Sequence, residues 1–231
     1  MARVLLNSLC MIAILFAVHL LADAPLVADH LVTGQHAHVT LTNTANQPVT
    51  AWALAVVTHQ ADGRTHREVE SVDGYLSEVT HGIAGAAERL ERLMPGQSRQ
   101  IDLESLPDDA TVEVAAVILD DGTSIGDEKI IGPIFERRAK ERDALGAVST
   151  TFRDVLASVQ GEAALDALRT RLDSLPQRDT VPCHAAMDAV DTYKQRVKDR
   201  TPEQIDESLR TYAAFVTREW ELAQKHATRK H

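Results

Sequence analysis

Cysteine is nearly missing from this chain of 231 residues, which holds only Cys10 and Cys183. Cys10 falls inside an N-terminal apolar run, and removal of that run leaves Cys183 alone, which excludes an internal disulfide. No Asn-x-Ser/Thr signal follows that run. Nor is there a cationic stripe. Pro25 to Gly132 carries 6 Lys/Arg against 17 Asp/Glu, and Pro133 to His231 carries 17 against 16. A front half of net charge −11 repels phosphate backbones, so the expected partners include no nucleic acid. Also missing is the regular alternation of strand and helix that a parallel sheet requires. An exported chain without disulfides or glycosylation signals fits a bacterial envelope better than a eukaryotic secretion route.

What the chain does have begins at its N-terminus. Arg3 precedes an almost wholly apolar run from Val4 to Ala22, and small residues stand at Ala22 and Ala24, the pattern of a secretory leader over residues 1–24. Cleavage after Ala24 would place Pro25 just beyond the cut, where its locked φ and missing N–H make a poor protease substrate. Cleavage after Ala22 avoids this. A retained anchor is the third reading, and the sole membrane contact expected, although Asn7 and His19 would carry polar groups into lipid. The address expected is secreted or periplasmic.

The front half reads as sheet. His38–Thr42 alternates and ends in Asn43-Thr44, and Asn46-Gln47-Pro48 supplies a turn. Val49–His59 is rich in β-branched and aromatic residues, Asp62-Gly63 signals a hairpin, and Thr65–Val72 is the return strand. Ala84–Leu93 reads as helical and stops at Met94-Pro95-Gly96. Ser98–Leu103 and Thr111–Leu119 complete a β-sandwich of six or seven strands.

The sequence Val39-x-Leu41-x-Asn43-Thr44, Pro48-Val49, Asp62-Gly63-Arg64 and Leu93-Met94-Pro95-Gly96-Gln97-Ser98 resembles small bacterial exported immunoglobulin-like domains of the fibronectin-type and FxLYD-like kind. The resemblance covers residues 32–132 and rests on turn chemistry. It implies a sandwich with an adhesive or binding role and transfers no catalytic residue.

The rear half, residues 133–231, reads as an unrecognised helical region of two hairpins or a small bundle. Leu145, Val148, Phe152, Val155 and Val159 form one stripe, preceded by the charged run Glu136–Asp143. Leu165, Leu168, Leu172 and Leu175 mark a second helix, and Pro182 opens a third with Met187, Val190 and Val197 inward. Thr201-Pro202-Glu203-Gln204 is a capping box before a last stripe of Ile205, Leu209, Tyr212, Val216, Trp220 and Ala223. The fold class expected is α+β.

Three sets of residues carry candidate chemistry. Gly122-Thr123-Ser124-Ile125-Gly126 matches the G-x-S-x-G elbow of serine hydrolases, with Asp179 and His184 downstream in the right order. Gly132-Pro133 is expected to cut off the helix that such an elbow needs, so an Asp-Gly hairpin turn is the preferred reading. Nine histidines follow the leader. His36 and His38 share a strand face, and a two-residue turn at Asp62-Gly63 would set His59 opposite His66, but no thiolate or carboxylate completes a ligand set. Asp120-Asp121 and Asp127-Glu128 lack the order of a calcium loop and read as a solvated turn. Cys183 sits at a helix start, diverging from His184. It reads as a buried thiol, or as the link in a disulfide-bonded dimer. The function expected is therefore a non-enzymatic protein–protein or cell-envelope interaction module without cofactor, catalytic residue or metal ligand. A serine hydrolase using Ser124 and a histidine-based metal-binding protein are the alternatives.

Overall fold

The computed structural model describes residues 24–33, 36–59, 62–83, 92–104 and 110–230. All of the proposed leader except Ala24 lies outside these residues, as does most of the expected helix Ala84–Leu93. Seven strands are described: β1 Leu26–Thr33, β2 His36–Asn43, β3 Val49–His59, β4 Thr65–Asp73, β5 Ser98–Glu104, β6 Thr111–Leu119 and β7 Ser124–Gly126. Five helices accompany them: α1 Gly74–Ile83, α2 Glu128–Leu156, α3 Gly161–Asp173, α4 Val181–Gln195 and α5 Pro202–His226. The class is α+β. Among the described residues no helix is long and apolar enough to cross a membrane.

The chain forms two compact units whose segments interleave. The strands belong with Arg92–Asp120, Ile125–Asp127 and the chain up to Val72, whereas Asp73–Glu91, Asp121–Ser124 and Glu128–His231 form the helical unit. A boundary at 132/133 would fall inside α2, and α1 belongs with the helices although it sits between strands in sequence.

In the first unit, one sheet has the order β1-β2-β5 and the other β4-β3-β6-β7. β1 begins six residues before the sandwich boundary expected from sequence, and it pairs antiparallel with β2 from Leu26↔Asn43 to Thr33↔His36. Side chains of both sheets form one apolar core: Leu26, Val39 and Leu41 from the first, with Val49, Trp52, Leu54, Val112, Val117 and Leu119 from the second. Period-2 alternation, offset by register shifts between Val49 and Ala51 and between Ala53 and Leu54 in the β3–β6 pairing, places these residues inward.

The turn motifs of the sequence meet at a buried asparagine. Asn43, fully buried, donates through Nδ2 to the carbonyls of Gln47 (3.0 Å) and Leu93 (2.8 Å), and its Oδ1 accepts from Ala45 N–H at 2.9 Å. Its own N–H donates to Gln97 O, and its carbonyl accepts from Gly96 N–H. The Asn-Thr turn and the Leu-x-Pro-Gly turn are thus sewn together. Leu93 is not a helix end. It exchanges both backbone hydrogen bonds with Val49, and its buried side chain joins the core, so extended pairing overrides the local helical signal.

The helical unit has its own core. Tyr75 and Val79 of α1 pack with Leu145, Val148, Phe152 and Val155 of α2, Leu165, Leu168 and Leu172 of α3, Cys183, Met187 and Val190 of α4, and Ile205, Leu209 and Val216 of α5. Helix α2 runs for 29 residues through Pro133, so the expected break at Gly132-Pro133 does not occur. Proline normally keeps the residue before it out of the α region through a clash with that residue's Cβ, and Gly132 has none. Burial of Ile131, Ile134 and Phe135 on both sides offsets the one missing hydrogen bond. The capping box forms as expected: Gln204 N–H donates to Thr201 Oγ1 (3.3 Å) and Thr201 N–H to Gln204 Oε1 (2.9 Å), with Pro202 opening the helix. Gly146 of α2 makes room for the Trp220 indole of α5, since a Cβ there would stand 2.9 Å from Trp220 Nε1.

The two tryptophans divide between the units, Trp52 in the sheets and Trp220 in the helices. In a Trp220→Phe chain, we expect Leu41→Ala to destabilise the transition reported by Trp52 fluorescence by about 2–5 kcal/mol. Phe152→Ala should leave that transition in place. Equal shifts from both substitutions in urea melts would show one cooperative unit instead of two.

Candidate functional site

The glycine-serine motif is a hairpin. Asp120 to Thr123 turns β6 into β7, with Gly122 at φ 87°. Thr228 and Lys230, beyond α5, cross this turn: Lys230 N–H donates to Gly122 O at 3.0 Å, and Thr123 pairs with Lys230 in a parallel bridge. A side chain at 122 would collide with the Thr228 carbonyl, so the glycine serves both the turn and the close crossing. Ser124 Oγ accepts from Arg229 Nε at 3.1 Å. The group facing the hydroxyl is a guanidinium, a donor that never deprotonates, where a hydrolase would place a histidine base. His184, the downstream candidate, is exposed on α4, and Asp179 pairs with Arg178 at 3.8 Å.

The acidic residues beside the turn are ion-paired instead of simply solvated. Glu128 receives a two-pronged contact from Arg229 (2.5 and 2.7 Å), and Asp121 accepts from Lys230 Nζ at 3.0 Å. The Thr123 N–H, followed by the Lys230 ammonium, draws the Asp121 carboxyl down to about 2. In the strand unit, Asp120 faces Arg92 (3.7 Å) and Asp127 faces Arg67 (3.4 Å). Each carboxylate has a protein cation near it.

The histidines do not converge. His38 Nδ1 lies 2.6 Å from Asp102 on the neighbouring strand, His59 Nδ1 lies 3.4 Å from Thr65 Oγ1, and His66 Nε2 lies 3.1 Å from Glu68. His36 stands in β2 opposite Glu104. Among the described residues no group of three or more His, Cys, Asp or Glu could hold a metal ion. Cys183 is fully buried at the start of α4, and burial pushes its thiol up, opposed by a hydrogen bond with Thr180. A disulfide from it would require that helix start to open.

The densest set of polar groups was not singled out by the sequence. Arg138, only 1% exposed, directs its guanidinium fork at Asp73: Nε to Oδ2 at 2.9 Å and NH2 to Oδ1 at 2.8 Å. Its third nitrogen donates to the His226 carbonyl at 3.3 Å. The guanidinium also lies 5.3 Å from the Tyr75 ring and 5.8 Å from that of Phe135. The Tyr75 ring packs on the His226 imidazole with centroids 4.2 Å apart. Asp73 Oδ1 accepts in addition from Leu76 N–H at 3.2 Å, which makes it the N-cap of α1.

One turn after Arg138, Glu141 occupies the same inward stripe as Leu145. Its Oε1 is buried without a hydrogen bond, as are the hydroxyls of Tyr75 and Tyr212. Burial pushes the Glu141 carboxyl up to about 7 and raises both tyrosines well above their ordinary value. Extending the Phe152–Val148–Leu145 stripe toward the N-terminus in steps of three and four lands on Glu141, Arg138 and Ile134. The signal was present in the spacing but hidden by the charges around it. In chemical terms the cluster is a neutralised ion pair with a separate carboxyl that holds its proton far above the usual range.

No family model, curated protein or solved structure matches the chain.

Removing one partner of the buried fork leaves a stranded charge. We expect Asp73→Ala to cost about 3–5 kcal/mol in urea unfolding, through the uncompensated Arg138 guanidinium, with about 1 kcal/mol more from the lost cap. Asp73→Asn, which retains the cap oxygen and one acceptor, should cost less. A cost of only about 1 kcal/mol for Asp73→Ala, with none for Asp73→Asn, would show that the pair adds nothing beyond the cap.

Proposed function

We propose that the protein is an exported, non-catalytic interaction module of the bacterial envelope, whose immunoglobulin-like β unit recognises a protein partner by strand addition. The strand distribution supports the immunoglobulin-like reading. Placing strands one, two and five in one sheet and the rest in the other accords with the two-sheet arrangement of fibronectin-type sandwiches. The observation that carries the second part is β4. It stands at the end of its sheet, and every residue from Thr65 to Ser71 is exposed. An exposed edge strand offers a row of backbone donors and acceptors to an extended segment. Arg67 is turned to Glu113 and Asp127, and Glu68 lies beside the His66 imidazole, so the carboxylates of Glu68 and Glu70 set the sign of the strand and the segment that fits is a basic one. Ser124 takes no catalytic part in this reading, because its hydroxyl is held by Arg229.

A photo-crosslinking residue at Val69, 42% exposed, should capture one discrete protein from envelope extracts, whereas the same residue at Val181, 48% exposed on the helical unit, should not. Val69→Lys should reduce competition for that partner without moving the thermal melt. Equal capture from both positions would sink the strand-addition reading.

The address is tested separately. Intact-mass analysis of protein from the native host should give a chain beginning at Asp23 or Pro25 in the envelope fraction. A full-length chain recovered with the cytosol would remove the export reading.

A further inference from the structure

We infer that β4 selects its partner by the spacing of cations: it accepts a segment that carries two of them two residues apart and discriminates against one in which they are adjacent. The inference rests on the strand-addition reading and specifies the segment which that reading leaves general.

The two faces of β4 differ in charge. Arg67 Nε donates to Glu113 Oε1 at 3.3 Å, and Glu113 stands in β6 between Val112 and Val114, both packed into the sandwich core. Arg67 therefore lies on the outer face of its sheet, and period-2 alternation puts Thr65, Val69 and Ser71 there with it. Val72, packed against the core, marks the other parity as the inner one. His66, Glu68 and Glu70 share that inner face, and the 3.1 Å approach of His66 Nε2 to Glu68 Oε1 agrees with the assignment. All three are exposed, so β4 overhangs the three-stranded sheet here. The inner face thus presents two carboxylates two residues apart. The outer face presents the Arg67 guanidinium, and the carboxylates that answer it, Glu113 and Asp127, lie beyond β3.

Residues directly opposite on neighbouring strands share a face. In a strand added beside β4, cations at i and i+2 can therefore both meet the carboxylate face. A slip of two residues keeps them there and a slip of one removes both, so the charges also hold the register. Adjacent cations have no such register, because one of them always falls on the face of Arg67 and Val69. The residue between two spaced cations falls on that face instead, where Val69 favours an apolar side chain. The His66–Glu68 contact joins two exposed side chains, so an incoming ammonium can replace the imidazole.

A second copy of the chain does not fit this edge. Antiparallel pairing of two β4 strands centred on Val69 sets Glu68 opposite Glu70 twice. Centring on Arg67, Glu68 or Glu70 sets that residue against its own charge.

Two peptides of one composition test the inference on the full chain: Thr-Thr-Lys-Val-Lys-Thr-Thr and Thr-Thr-Lys-Lys-Val-Thr-Thr. Chemical-shift titration of the isotope-labelled protein should give about fivefold tighter binding of the first, with the shifts centred on residues 65–71. Combining Glu68→Gln with Glu70→Gln should bring the ratio to about one, and high salt should shrink it in the wild-type chain. Equal affinities, binding by neither peptide, or a ratio kept in the double variant overturns the inference. If Val69 still captures one discrete partner in that event, strand addition stands without the spacing rule. Loss of both results removes the reading as well. A dimer of the free chain that Val69→Lys dissociates would assign the edge to a second copy and also overturn the inference.

Discussion

Asp73 answers two needs with one carboxylate, and the helical unit is arranged around it. It stands at the end of β4, supplies the N-cap that starts α1, and neutralises the one guanidinium that α2 carries into the core. The first of these needs, the cap, fixes α1 and the second α2. Without the cap, α1 has few local reasons to form, because Gly74 and Gly82 both disfavour helix. Without the anion, Arg138 would have to leave the core and take the Tyr75 and Phe135 contacts with it. The backbone of His226 completes the arginine's coordination, so the C-terminal end of α5 is tied to the same point.

The strand unit has a comparable centre in Asn43, although no charge is involved. A side-chain amide that serves three backbone groups can replace a longer hydrogen-bonded ladder where the chain must turn. Both units therefore close their irregular segments with one buried polar side chain while apolar contacts fill the remainder. Buried polar groups of this kind contribute mostly through the penalty for losing them.

The strands β2 and β5 were legible because they alternate, β3 and β6 because they are apolar or β-branched runs, and β4 because it follows the Asp62-Gly63 hairpin signal; the last three helices were legible because their stripes begin with proline, a cap or a glycine. Other features were hidden by particular residues. Asp29 and His30 interrupt the apolar pattern of β1. Helix α1 offers too few apolar positions to show a period. Proline at 133 signals a stop that the missing Cβ of Gly132 cancels. The burial of Arg138 and the inward position of Glu141 were masked because seven of the eight residues from Glu136 to Asp143 are charged and so point toward a solvated face. Charge was the wrong guide there. Position on the stripe was the right one, and only the partner Asp73, remote in sequence, makes the burial intelligible.

The crossing of the β6–β7 turn by Thr228–Lys230 has a consequence for the order of assembly. Lys230 meets Asp121 across a separation of 109 residues, and Arg229 meets Glu128 across 101. Residues that punctuate the middle of the chain therefore receive their partners from its far end. Tyr75 likewise waits for His226. A ribosome that has released only the first 200 residues has made α1 and the hairpin turn but none of the groups from α5 that hold them. Until that last helix arrives, the nascent chain carries an exposed tyrosine, a capped but unsupported helix and an unclasped turn, which is the kind of surface that chaperones bind.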